Sequence, residues 1–163
     1  MNHSDFLIER LASGAPLPEE TFGEWDNRHL SGAYHSVHAS SYWSNGLFPK
    51  GFKLTLNMRF APNFLAYKGV NNTNEDKLYI NQFDTTLDDV TGPVFGNARF
   101  NEVRIRQLSA TEFQVLELLD GDVIIGQYWC FAKDASTLIR WGVGKAPDGK
   151  SKAFFETFAR SDQ

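Results

Sequence analysis

The chain has 163 residues, 42% of them hydrophobic and 22% charged, which is enough to bury a core without disulfides and too apolar for a disordered tail. Twenty acids against 16 Lys and Arg leave a formal charge of −4, without the basic excess that nucleic-acid binding needs. A single cysteine, Cys130, excludes an intrachain disulfide and a multi-cysteine metal centre.

Residues 5–12 read as a short helix. Ser4 offers an N-cap, Leu7, Ile8 and Leu11 recur at helical spacing, and Gly14 ends the pattern ahead of Pro16 and Pro18. Residues 1–28 are therefore read as a helix and lead-in, and 29–163 as one β domain. The first 26 residues hold six acids and one base, so the remaining 137, with 14 acids and 15 bases, are close to neutral. The start lacks the basic residues and the apolar run of about 7–15 residues that mark a secretory signal, and nothing approaches the roughly 18 apolar residues of a membrane span. The expectation is a cytoplasmic protein with neither membrane nor nucleic acid as partner.

From residue 29 the helical period gives way to short β-rich segments. They fall at about 29–43, 52–60, 64–70, 77–83, 100–108, 111–119, 122–132, 137–144 and 152–160. The strictest alternation runs from Phe52 to Phe60. It sets Phe52, Leu54, Leu56, Met58 and Phe60 on one face and Lys53, Thr55, Asn57 and Arg59 on the other. One dry face and one wet face is the antiparallel pattern. Asp120-Gly121 predicts a tight hairpin of the primed type, and Lys133–Ser136 and Pro147–Lys150 predict the next two turns. With no crossover helix between them, neighbouring strands are antiparallel. So many strands would leave exposed edges unless the sheet closes, so an up-and-down barrel is preferred to a sandwich.

These motifs carry a resemblance. Gly32-Ala33-Tyr34 after Leu30 is similar to the G-x-W opening strand of lipocalin-like domains, with Tyr in place of Trp. Val103 to Arg106, Asp120-Gly121-Asp122-Val123, Ser136 to Ile139, Pro147-Asp148-Gly149-Lys150 and the closing Phe155 to Arg160 resemble the last hairpins of small bacterial lipocalin-like proteins. The likeness covers roughly residues 30–160. It implies a calycin-type barrel that holds a small apolar ligand, or in a minority of cases acts as a lyase, isomerase or cyclase. The stretches 71–76 and 84–97 match nothing in that pattern.

A barrel of about eight strands encloses space for its own side chains or for one small ligand. The strand parity places Met58, Phe60, Val123, Ile125, Gln127, Trp129, Phe131, Ile139, Trp141 and Val143 inside. Tyr34, in the place of the family's Trp, would bring Ser36 and His38 inward with it. A phenol and an imidazole inside a dry barrel form an acid–base pair; the alternative, which is preferred, is that His38 sits near the barrel mouth, hydrogen-bonded and inert. His35 and His38 point to opposite faces of a strand and cannot share a metal. Glu117 lies on a strand that is apolar on both parities: inward with Phe113 and Val115 it is a general-base candidate, and outward it is solvated. Glu156, between Phe154 and Phe158, poses the same alternative. Arg104 and Arg106 alternate with Val103 and Ile105 and read as an outer face.

The first functional expectation is reversible binding of a small, mostly apolar, aromatic or polycyclic molecule, lined by Tyr34, His38, Met58, Phe60, Gln127, Trp129 and Trp141. The alternative is a cyclase, isomerase or lyase without metal or organic cofactor, in which His38 or Glu117 moves the proton and Tyr34 donates a hydrogen bond. A third is a solid barrel acting through its outer surface, most simply as a homodimer.

Overall fold

The expected alternation is realised from Leu54, where Leu54, Leu56, Met58 and Phe60 are buried between polar neighbours. In a computed structural model, residues 25–97 and 99–161 are described. The helix expected at 5–12 lies outside them. The strands are β1 (Gly32–Ser36), β2 (Tyr42–Trp43), β3 (Leu54–Ala61), β4 (Phe64–Asn71), β5 (Tyr79–Thr86) and β6 (Gly92–Pro93), then β7 (Glu102–Gln107), β8 (Glu112–Leu119), β9 (Asp122–Phe131), β10 (Thr137–Lys145) and β11 (Ser151–Arg160).

They form one antiparallel sheet in the order β5-β4-β3-β1-β11-β10-β9-β8-β7-β6, with β2 also beside β11. The sheet then curls back on itself. Gln82 of β5 exchanges two backbone hydrogen bonds with Phe95, while Asp89 N–H reaches the Ile105 carbonyl at 2.8 Å and Gln107 N–H the Leu87 carbonyl at 3.1 Å. The 84–97 stretch, for which the sequence pattern offers no template, thus supplies the seam of a nearly closed barrel. This removes most of the edge that an open sheet of this size would expose. Among the described residues, no helix is long and apolar enough to cross a membrane.

Two local features depart from the expected strands. The single strand expected at 29–43 is broken by 3-10 turns at Arg28–Leu30 and His38–Ser40. Between Glu117 and Leu118 the β8–β9 register shifts, so Glu117 pairs with Ile125 but Leu118 with Val123. That bulge explains the mixed periodicity of β8, because Phe113, Val115, Glu117 and Leu118 are all buried. The Asp120-Gly121 turn follows the primed geometry, with φ of 51° and 84°.

One end of the barrel is filled by a cluster of aromatic rings. Tyr34, Phe60, Phe113 and Phe131 meet there with ring centroids 5.5–5.8 Å apart. Leu30 caps them, and beside it Asn27 and Gln107 form a buried reciprocal amide pair at 2.8 and 2.9 Å. Arg160 crosses the outside of this end and donates to the carbonyls of His29 and Asp134. At the opposite end lie the 44–53 segment and the hairpin turns at Asp120-Gly121 and Pro147–Lys150.

Candidate functional site

Toward that second end the barrel interior changes character. Glu117 projects inward from β8, Gln127 and Trp129 from β9, and Arg140 and Glu156 from the facing positions of β10 and β11. Tyr67 enters from β4, between Leu65 and Gly69 on its inward face. Its phenol fits because residue 69 is glycine: a Cβ there would stand 2.8 Å from the hydroxyl oxygen. The ring stacks on Phe83 at 4.6 Å and on Trp129 at 5.7 Å.

Arg140 and Glu156 form the fixed part of the cluster. The guanidinium donates from Nε at 2.9 Å and from Nη2 at 2.7 Å to Glu156 Oε1, and Trp43 Nε1 donates to Oε2 at 2.8 Å. Burial alone works against the charge on Arg140, but Glu156, the Tyr67 oxygen and Glu117 outweigh it, and the guanidinium stays ionised. Trp43 is held in turn by edge contacts with Phe48 and Phe52. Lys152 places its ammonium 3.0 Å from the centre of the Trp43 ring. Burial draws the Lys152 pKa down, against the pull of Glu156.

Glu117 is only 7% exposed. Burial is the main cause that lifts its carboxyl to about 7. Arg140, Arg99 and the Gln127 amide pull the other way, and Glu156 adds to the rise. A buried carboxyl near neutrality is present in both protonation states at physiological pH. Burial also raises the Tyr67 phenol to about 12, so it remains a neutral donor.

The residues expected at the site separate into two groups. Met58, Phe60, Gln127 and Trp129 are buried in the barrel as the parity predicts. Tyr34 is also buried, but in the packed end, where its hydroxyl donates to the Leu30 carbonyl at 2.7 Å and burial raises its pKa to about 12. His38 does not join it. The 3-10 turn that begins at His38 breaks the strand alternation and leaves the side chain exposed, with Nε2 3.1 Å from the Pro49 carbonyl and the ring against Phe48. The Tyr34–His38 acid–base pair is therefore not assembled.

Trp141 is on the outer face, stacked on its cross-strand partner Tyr128 at 5.7 Å, and Val143 is exposed beside it. Val123 is likewise exposed, beyond the bulge. The parity expected for β10 is inverted: Leu138 and Arg140 face in. Arg104 and Arg106 do lie outside, where both pair with Asp89 at 3.2 Å. Cys130 is buried, and its thiol is raised to about 12, chiefly by burial, which makes it a poor nucleophile.

Sequence reasoning missed Arg140, Tyr67, Trp43 and Lys152. One signal for Arg140 was available. Glu156 between two inward Phe residues needs a cation, and folding the hairpin about Pro147–Lys150 sets Arg140 opposite it. Compared with known proteins, the chain matches no family model and no curated protein sequence.

Proposed function

We propose that the upper, polar end of the barrel binds a small organic molecule with a mostly apolar, aromatic or polycyclic body, in the manner of the lipocalin-like domains that the chain resembles. One observation carries this reading. The two ends of the same interior are built differently, aromatic and aliphatic with one neutral amide pair at one, and Tyr67, Glu117, Gln127, Arg140 and Glu156 at the other. A barrel that only had to be stable would be filled with apolar side chains throughout, because burying an ion pair contributes no more than a well-packed apolar pair of similar volume. The charged end weakens the fold, which is how binding and catalytic sites differ from the core around them.

In this reading Trp43, Phe48 and Phe52 rest against the ligand body and the polar groups take its heteroatoms. Trp43 and Trp129 lie in the cluster, so their emission reports occupancy. Native mass spectrometry of the protein from its own source, with tryptophan quenching by the released compound, tests the proposal. A discrete small-molecule adduct and saturable quenching that Trp43→Phe reduces are expected. Quenching carried wholly by the outer Trp141 would refute it.

A further inference from the structure

The cluster contains two inward carboxylates and one guanidinium, and the guanidinium is shared between Glu156 and the Tyr67 oxygen. Arg140 gives both Nε and Nη2 to Glu156, whose second oxygen receives Trp43. Glu117 has the Gln127 amide and the more distant fields of Arg140, Arg99 and Glu156, and its charge is felt in turn by Tyr67. It projects from the bulged part of β8 into the same interior as Tyr67, Trp129 and the Arg140–Glu156 pair. A carboxyl that accepts from one amide keeps lone pairs that can take a proton.

We propose that Glu117 is a catalytic residue that moves a proton between carbon atoms of a bound, enolisable aromatic or polycyclic ketone, with Tyr67 donating a hydrogen bond to the ketone oxygen. The proposal rests on the binding reading above and names the substrate class of that same site.

The step is self-contained. The Glu117 carboxylate takes a proton from the carbon α to the carbonyl. The electron pair of that C–H bond becomes the carbon–carbon π bond of the enolate, and the C=O π pair moves onto oxygen. The protonated Glu117 then either trades its proton with solvent and delivers the new one to the same carbon, which is exchange, or delivers a proton to the far end of a conjugated enolate, which is isomerisation, and the oxygen pair restores the carbonyl. Nothing is oxidised or reduced, and the carboxylate is regenerated.

The surroundings favour the charged intermediate. Arg99, Arg140 and Lys152 stand around two carboxylates before transfer, and around one after Glu117 has taken the proton. The site therefore becomes more positive as the negative charge forms on the substrate. A preorganised field of that sign, in an interior with little water, is the largest contribution a protein can make to such a step. Tyr67 stays protonated throughout: its oxygen accepts from Arg140, its own proton is left for the ketone, and its ring is held by the stack on Phe83 and Trp129 and by its place over Gly69. The near-neutral Glu117 carboxyl suits it both to take and to return the proton near pH 7.

The probe is 2-tetralone, an aromatic ketone with acidic C1 hydrogens. Hydrogen–deuterium exchange at C1 is followed by NMR in D2O, and binding by tryptophan quenching on the same samples. The wild-type chain is expected to exchange C1 faster than buffer, with a rate that rises through about pH 7. Glu117→Gln is expected to lower that rate by about 100-fold or more while quenching still saturates. Tyr67→Phe should lower the rate with its pH profile unchanged, a result that loss of fold would not give.

Saturable quenching with exchange no faster than buffer, or equally fast in Glu117→Gln, overturns proton transfer and leaves the binding reading standing. An absence of saturable quenching by 2-tetralone overturns the substrate class, and proton transfer with it.

Discussion

Arg140 and Glu156 are direct partners across β10 and β11, and both guanidinium contacts fall on one carboxylate oxygen while Trp43 takes the other. Their side chains are 14% and 5% exposed, so neither charge has bulk water to fall back on. Arg140→Met leaves Glu156 charged and buried, hydrogen-bonded by the Trp43 indole and with the more distant Lys152 ammonium as its counter-charge. The expected loss is about 3–5 kcal/mol in urea unfolding. Adding Glu156→Leu to it removes the stranded charge and should recover more than half of that loss. A single variant within about 1 kcal/mol of the wild type would mean that water reaches the pair.

The barrel itself was legible in the sequence because antiparallel sheets advertise themselves. The clean alternation of β3, the Asp120-Gly121 turn and the absence of crossover helices all follow from period-two burial and turn sterics. The site was legible only in part. Glu117 was visible as a candidate, but its facing was hidden, since the bulge at Glu117/Leu118 lets Leu118 be buried on the wrong parity. Arg140 was hidden by hydrophobicity. Ile139, Trp141 and Val143 look like an inner face, but Trp141 is satisfied on the outside by Tyr128. The inward reading of His38 fails, and the inert hydrogen-bonded one holds, because a 3-10 turn that no residue pattern announces begins there.

Gly142 sits where β9 and β10 approach too closely for a side chain. A Cβ there would run into the Gly126 carbonyl oxygen and lie 2.7 Å from Gln127 Cα, both backbone atoms of the strand that carries Gln127 and Trp129. Backbone in a paired strand cannot swing aside as a side chain can. Gly142→Ala is expected to destabilise by about 3 kcal/mol or more in urea unfolding. Gly46→Ala is a control, with open space around its Cβ but a φ of 73°, and should lose only about 1–2 kcal/mol.

Tyr34 and His38 are four residues apart and predict opposite outcomes. The Tyr34 hydroxyl donates to the Leu30 carbonyl inside the packed end, so Tyr34→Phe strands a buried acceptor and should cost about 1–2 kcal/mol. His38 is exposed, with one bond to the Pro49 carbonyl, and His38→Ala should cost about 0.5 kcal/mol or less. Neither should change tryptophan quenching by a bound aromatic. Loss of quenching in His38→Ala would return it to the binding residues and contradict its placement outside the barrel.

Glu117 ties stability to pH with a sign opposite to that of a salt-bridged carboxylate. Its carboxyl titrates near 4.5 when free and at about 7 in the barrel, chiefly because of burial. Between those values the folded chain holds a proton that the unfolded chain has released. The contribution to stability is therefore whole below about pH 4.5 and is lost as pH rises through about 7. Glu117→Gln keeps the shape and does not titrate. It should be more stable than the wild type by on the order of 3 kcal/mol above about pH 8, and the gap should close toward pH 4.5. Urea midpoints of both chains from about pH 5 to 8 give the difference directly, and other titrating groups cancel between them. A gap that stays constant over that range would place the Glu117 carboxyl in water. A gap of the opposite sign would mean that the pull of Arg140 and Arg99 on it exceeds the effect of burial.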